Sequence, residues 1–539
     1  TWYSEDNREG GYSIGTIKYY AKLSNRKAYE EIRDKKLEKK LNEVINKCTE
    51  FGIAELFDIL CGDKIVYVKD ENQFYTWCNN KWNKEDLKTG NFAKLLISTE
   101  LCYYFETSIK NMNVKPELSD DLEFVRRTRE TKMREIIIHL KTTSWKTNLW
   151  KEIIALNMIK NHNIKFDNNP NVIGFDNGKF DLTTGVFTDI VYNDYISMST
   201  GYDWLEPTEE NCDKIEELFN KIFPNPEIRR CYWSILFKCL CGGQKDKFII
   251  ANGNGGNGKG LLNTLMLITL GGYAYTAPVT LLTRDIKSGA NPEVANLHRM
   301  RLVLMKEPNK KDKLLLGNIK QLTGNDSINA RGLYSAITKT LLECIIILET
   351  NDRLHFDGKA GEAEIRRFMD ILFESIFTDD KDKLNDKTLS NVFEKNEDYV
   401  KTEFKESHKC ALFKCIMKNA DKQLYEPDCV KERTRAYIDE QDTFNNWVKE
   451  NYEFTDNVDD MIKIKDMYNF YKESDEYMNT ERNNRPNQNR FKLDFVMSDK
   501  ILKNKYKDRH QPYVNGVKKE YTNIILGIKH KIEEEDDFD

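Results

Sequence analysis

Apolar positions along the chain change period several times, and each change marks a new segment. Residues 27–47 are charged and helix-prone, which predicts a lead-in helix within a leader of residues 1–50. A folded unit starts near 51. Phe74-Tyr75-Thr76-Trp77-Cys78 and Lys81-Trp82 flank Asn79-Asn80, the signature of a β-hairpin. Asn177-Gly178, between Ile173-Gly174-Phe175 and Phe180-Asp181-Leu182, predicts a second hairpin, and Thr184-Gly185 turns the chain into Val186-Phe187. These aromatics alternate as half-buried strands do, which favours core packing over a base-stacking platform.

A helical period takes over at 211–243. Ile215, Leu218, Phe219 and Ile222 make one apolar stripe, Asn225-Pro226 breaks it, and 231–241 is apolar enough to be fully buried. Short apolar runs then recur at Phe248–Ala251, Leu302–Met305, Ile345–Leu348 and Phe368–Phe373, each reading as a buried strand. Residues 380–435 look helical and charged. The last stretch mixes helix-like and strand-like pieces, among them Thr522–Ile528. The pattern divides the chain into a leader (1–50), an N-terminal domain (51–205), a central domain (206–380), a helical extension (381–435) and a C-terminal unit (436–539).

The 539 residues suffice for several domains, and 40% hydrophobic with 32% charged residues is a globular composition. A net charge of −5 excludes a polycation, so any nucleic-acid contact has to come from local basic surface. Such surface is offered by 490–531, where eleven Lys/Arg stand against four Asp/Glu; the acidic tail from Glu533 to Asp539 reverses the sign. The 12 cysteines show no zinc spacing and read as reduced thiols of a cytosolic or nuclear protein. No apolar run is long enough to span a bilayer. The chain opens on Thr1 rather than Met and reads as part of a longer polypeptide.

The chemistry concentrates in the central domain. Gly253-Asn254-Gly255-Gly256-Asn257-Gly258-Lys259-Gly260-Leu261 follows an apolar strand and precedes a helix. In such a loop, glycines let successive backbone N–H groups face a triphosphate, and the lysine reaches its β- and γ-phosphates. The Ser or Thr that ordinarily ligates Mg2+ is replaced by Gly260, leaving that coordination position to water or another group. Glu307 ends the strand Leu302–Met305 and is the candidate to polarise the attacking water or hold the metal; Lys306 stands where many such enzymes carry a first acid. Asn351 ends the next strand, where it could bond a γ-phosphate or simply shape a turn. Residues 327–340 read as a hairpin carrying Arg331, Tyr334 and Lys339, suited to a sugar-phosphate backbone or merely solvent-exposed. Arg366-Arg367 precede the last strand, placed to reach a neighbour's nucleotide or to form an internal salt bridge.

Gly253–Gly260, Arg301–Pro308, Ile319–Tyr334, Ile345–Asn351 and Arg366-Arg367 together resemble superfamily 3 helicases, specifically the poxvirus-type primase–helicase family of large DNA viruses and some phages. The run Lys-Gln-Leu-Thr-Gly followed by Ala-Arg-Gly-Leu-Tyr is the most specific part, and Phe180–Gly185 with the Trp77/Trp82 hairpin looks like that family's domain ahead of the motor. The resemblance implies an α/β fold: an AAA+-like core with an α+β N-terminal domain and a small, mainly helical, winged-helix-like C-terminal unit. It further implies a hexameric ring around DNA using ATP and Mg2+, with Lys259, Glu307 and Asn351 acting in cis, Arg367 in trans, and Arg331 and Tyr334 on the DNA. An upstream primase domain, viral replication partners and a replication site in the host cytoplasm or nucleus are also implied. Two other functions fit the residues: an ATPase that encircles or remodels DNA without unwinding it, and a nucleotide-bound ring scaffold.

Overall fold

The computed structural model describes residues 24–531 apart from 70, 114–119, 159–163, 244, 287–290, 325–327, 331–337, 359, 481, 483–484 and 516. The chain divides into two compact units. One comprises the chain up to Arg353 with Arg367–Val430, the other Leu354–Arg366 with the chain from Lys431.

The first unit begins with the expected charged helix, α1 (Arg26–Asn46), which buries Leu37, Leu41, Val44 and Ile45. These four lie at helical spacing on one face, which packs with α2 (Glu50–Cys61), itself capped by Thr49. An antiparallel sheet follows, formed by β1 (Ile65–Val68), β2 (Gln73–Cys78) and β3 (Lys81–Glu85). Cys78 pairs with Lys81, and Asn79 and Asn80 both take positive φ, as a two-residue hairpin turn requires. Helices α3 (Asp120–Lys141) and α4 (Thr143–Met158) complete this part of the core.

The second hairpin is also present, one residue earlier than its turn signal suggested. In β4 (Val172–Phe175), β5 (Gly178–Asp181) and β6 (Val186–Thr188), Phe175 pairs with Gly178, so Asp176-Asn177 form the turn. Phe175 and Phe180 meet Trp204 edge-on, with ring centroids 5.4 and 5.2 Å apart, and are core residues. α5 (Glu209–Ile222) buries the predicted stripe of Ile215, Leu218, Phe219 and Ile222. Asn225 then caps α6 (Pro226–Leu240), whose proline sits at the start of the helix, where no N–H is missed.

The centre is a five-stranded parallel sheet. Its strands are β7 (Phe248–Asn252), β8 (Ala274–Thr276), β9 (Leu302–Lys306), β12 (Ile345–Thr350) and β13 (Phe368–Leu372), in the spatial order β13-β7-β12-β9-β8. α7 (Lys259–Leu270) follows β7; between β9 and β12 lies the hairpin β10 (Ile328–Ala330) and β11 (Thr338–Thr340). The inner strands are covered on both faces, which explains their unbroken apolar runs. The stretch 380–435, helical by its sequence pattern, holds a strand, β15 (Val392–Glu394), paired in parallel with β14 (Ile376–Thr378) just ahead of it. Helix α8 (Thr402–Asn419) then packs Ala411, Leu412, Phe413, Cys415 and Ile416 into the same core as the sheet.

A seam ties α7 to the layer carrying β4–β6. Gly271 ends α7 at φ +50, and a Cβ there would stand 1.8 Å from the Thr200 carbonyl oxygen; one on Gly272 would stand 2.3 Å from that of Ser199. Next in the chain, the Tyr273 hydroxyl accepts from the Gly174 N–H (3.0 Å) and donates to the Met198 carbonyl (2.9 Å). Gly271→Ala therefore meets both a backbone clash and an unfavourable φ. It is expected to cost roughly 3 kcal/mol or more, read as a lower urea midpoint; an unchanged midpoint would contradict the seam.

The second unit centres on Phe444, Trp447, Met467, Tyr471 and Phe491, drawn from short helices at Thr443–Asn451 and Ile464–Tyr471 and a following turn of helix. An antiparallel sheet of Met461–Lys463, Tyr521–Leu526 and Tyr506–His510 packs with them. Its basic segment is partly neutralised: Arg490 pairs with Asp494, Lys492 with Asp508 and Arg509 with Glu520, while Asp499 caps the helix Lys500–Lys505. Lys500, Lys503, Lys507, Lys518 and Lys519 are exposed. Among the described residues, no helix is long and apolar enough to cross a membrane.

Candidate nucleotide site

The Gly253–Gly260 loop leaves the carboxyl end of β7 and enters α7, as its sequence predicted. Gly258 caps the helix at φ +81, and a Cβ there would press on Ile222 at 2.8 Å, so no other residue fits without rearrangement. Asn257 braces the loop: its Nδ2 donates to the Phe373 carbonyl (3.2 Å), and its Oδ1 accepts from the Lys259 N–H (3.2 Å). Gly256 is held through its carbonyl by the Phe377 N–H at 2.7 Å.

Lys259 is only 4% exposed. Its ammonium donates to the Gly253 carbonyl (2.9 Å), the Thr350 carbonyl (2.7 Å) and Asn351 Oδ1 (2.9 Å). Burial pushes its pKa below the ordinary lysine value, while the nearby Glu349 carboxylate acts in the opposite direction. Lys259 and Asn351, two of the candidates, are thus in direct contact.

A cavity of about 330 Å³ opens over the loop. Asn254 to Leu261 line it together with Glu349, Asn351, Phe377, Lys395 and Tyr399. A larger cavity of about 460 Å³ lies elsewhere, among Asp167, Lys179, Asp181, Asp194 and Arg301. The loop cavity is the candidate site because backbone N–H groups, a helix N-terminus and a buried ammonium converge there at the carboxyl edge of a parallel sheet.

Two candidates sit differently from expectation. Glu307 does follow β9, but it is exposed, takes φ +54 and is absent from the cavity lining. The acid that reaches the cavity is Glu349, on the adjacent strand. It is the only charged residue in the run Ile345–Thr350, and that alone could have marked it. Arg367, expected to face a neighbouring subunit, is buried at 7% exposure, and its carbonyl accepts from the Phe248 N–H. Arg366 is the exposed member of the pair. Lys395 and Tyr399 come from the stretch read as helical, with no sequence signal for the site. Arg331 and Tyr334 lie outside the described residues; Lys339 is on β11.

These features make the glycine loop a candidate phosphate-binding site on an α/β scaffold. Residues 53–224 match the family described as D5 N terminal like. The chain is 26% identical over 494 residues to "Putative helicase L207/L206" of Acanthamoeba polyphaga mimivirus, covering 87% of this chain and 50% of that protein. It is 28% identical to "Primase D5" of Fowlpox virus over 43% of this chain and 31% of that protein. The chain thus spans half or less of the length of these relatives. Among solved structures, the apo NrS-1 C terminal region is 12% identical at a TM-score of 0.42, over 87% of this chain and 98% of that one. The resemblance to the poxvirus-type primase–helicase family of large DNA viruses is borne out by the family match and the named relatives.

Proposed function

We propose that the chain is the ATP-driven, DNA-translocating motor of a viral primase–helicase, working as a hexameric ring in genome replication. The observation that carries this reading is the Lys259 ammonium, which bridges the loop and Asn351. Its partners are oxygens that phosphate oxygens can replace, so the residues fit ATP. In this reading Lys259 and the loop N–H groups hold the β- and γ-phosphates, and Asn351 orients the γ-phosphate or the lytic water. When bound, Mg2+ would supply neutralisation of the charge developing on the phosphoryl group. The insertion of β12 between β7 and β9 supports an AAA+-like core, because it puts Asn351 beside the loop. Arg366 is the residue available to act on a neighbouring subunit's nucleotide. Named helicase and primase relatives support DNA and viral replication proteins as partners; the host cytoplasm or nucleus as the place of work is part of the proposal alone.

ATP hydrolysis by size-fractionated protein, with and without single-stranded DNA, tests the proposal alongside unwinding of a forked duplex. DNA-stimulated turnover in a hexamer-sized species together with strand separation is expected. Turnover without separation would favour a remodelling ATPase. One observation favours the scaffold reading, the absence of a hydroxyl at Gly260, and nucleotide binding with no turnover in a formed ring would support it.

A further inference from the structure

The two departures of this site from the usual pattern, Gly260 and Lys306, meet at one side chain. Strand register pairs Glu349 of β12 with Lys306 of β9, and their charged groups are 3.8 Å apart. A Cβ added to Gly260 would stand 3.2 Å from Glu349 Oε1. A side chain at 260 and the Glu349 carboxylate therefore compete for the same space.

We propose, on the strength of the nucleotide-site reading, that Glu349 supplies the oxygen that holds the nucleotide's divalent cation. It would stand in for both the hydroxyl missing at 260 and the acid missing at 306. The carboxylate is built to point there. Its side chain is 15% exposed and lines the loop cavity. Asn263 Nδ2 donates to Oε2 at 3.2 Å, and the buried Tyr232 hydroxyl donates to Asn263 Oδ1 at 2.9 Å, which fixes the amide's orientation. One oxygen is thereby anchored, and the other is left toward Gly260 and the cavity. A carboxylate oxygen is a hard donor of the kind Mg2+ takes, alone or with water and phosphate oxygens. Glycine at 260 then makes room for a ligand arriving from the neighbouring strand. Lys306, which also donates to Thr264 Oγ1 at 3.4 Å, steadies the carboxylate from the far side.

The test measures Mn2+ affinity by electron paramagnetic resonance in the presence of a non-hydrolysable ATP analogue, and analogue affinity in EDTA. Glu349→Gln is expected to weaken Mn2+ binding about tenfold or more while metal-free analogue affinity changes less than twofold. Glu349→Ala is expected to lose Mn2+ likewise, and adding Gly260→Ser to Glu349→Ala to recover affinity, because truncation at 349 frees the space in which a hydroxyl at 260 can serve. Glu349→Asp, which keeps the carboxylate, should lose less than Glu349→Gln, and it decides the matter should the latter misfold. Unchanged Mn2+ affinity in both variants would overturn the proposal. So would an equal loss of metal-free analogue binding, or the same loss from Lys306→Met, since each would reduce Glu349 to an ion-pair partner. If the wild type binds neither analogue nor Mn2+, the nucleotide-site reading itself fails. Wild-type binding with Glu349→Gln intact sinks only this inference.

Discussion

Lys259→Ala is expected to abolish ATP hydrolysis, lowering turnover by at least about 10²–10³-fold, with the protein still folded. The lysine is almost fully buried and grips three oxygens of the loop and the β12 end. Its ammonium is therefore aimed before nucleotide arrives and needs little reorganisation when phosphate oxygens replace the carbonyls. Alanine removes that charge and leaves the loop carbonyl and Asn351 facing the cavity, where solvent can satisfy them. The fold should survive because Asn257 and the Phe377 N–H still brace the loop. Turnover assays and thermal melts on the same preparation separate the two effects. Wild-type turnover in the variant would remove the main support for an ATP-driven motor, and a collapsed melt would make Lys259 a structural strut.

The second large effect separates two adjacent arginines. Arg366→Ala is expected to lower hydrolysis by about 10³–10⁵-fold while analogue affinity stays near wild type, because an arginine acting across subunits meets charge that develops only in the transition state. Mixing Arg366→Ala with Lys259→Ala subunits should then restore part of the turnover, since each supplies what the other lacks. Arg367→Ala should instead lower the melting midpoint, because its side chain is buried beside the first residue of β13. If Arg367→Ala gave the catalytic loss with a normal melt and Arg366→Ala gave none, the roles would be reversed.

What could be read from the sequence was what is local. The Asn79-Asn80 and Asn177-Gly178 hairpins, the stripe of α5, the buried strands and the glycine loop depend on periods and turn residues within a dozen positions, and each is present in the fold. The partners of the site depend on register instead. Nothing near Glu349 reveals that β9 brings Lys306 beside it or that Gly260 lies against its carboxylate. The difference between Arg366, exposed, and Arg367, buried, likewise depends on tertiary packing and not on any local pattern. The strand β15 is three residues long and is defined only by its pairing with β14. Asp370 interrupts an apolar strand without warning, and its full burial goes with Arg353 donating to it at 2.7 and 3.1 Å.

The glycine seam at the end of α7 has a mechanical meaning. Where side chains separate two elements, small displacements are absorbed by rotamer changes; at Gly271 and Gly272 main chain rests on main chain, and there is nothing to yield. A helix that begins at the glycine loop and ends against the 199–200 carbonyls is seated as a stiff rod between them. Under the proposed function, a tilt imposed on its first turn by nucleotide would be passed to the β4–β6 layer rather than absorbed by side chains.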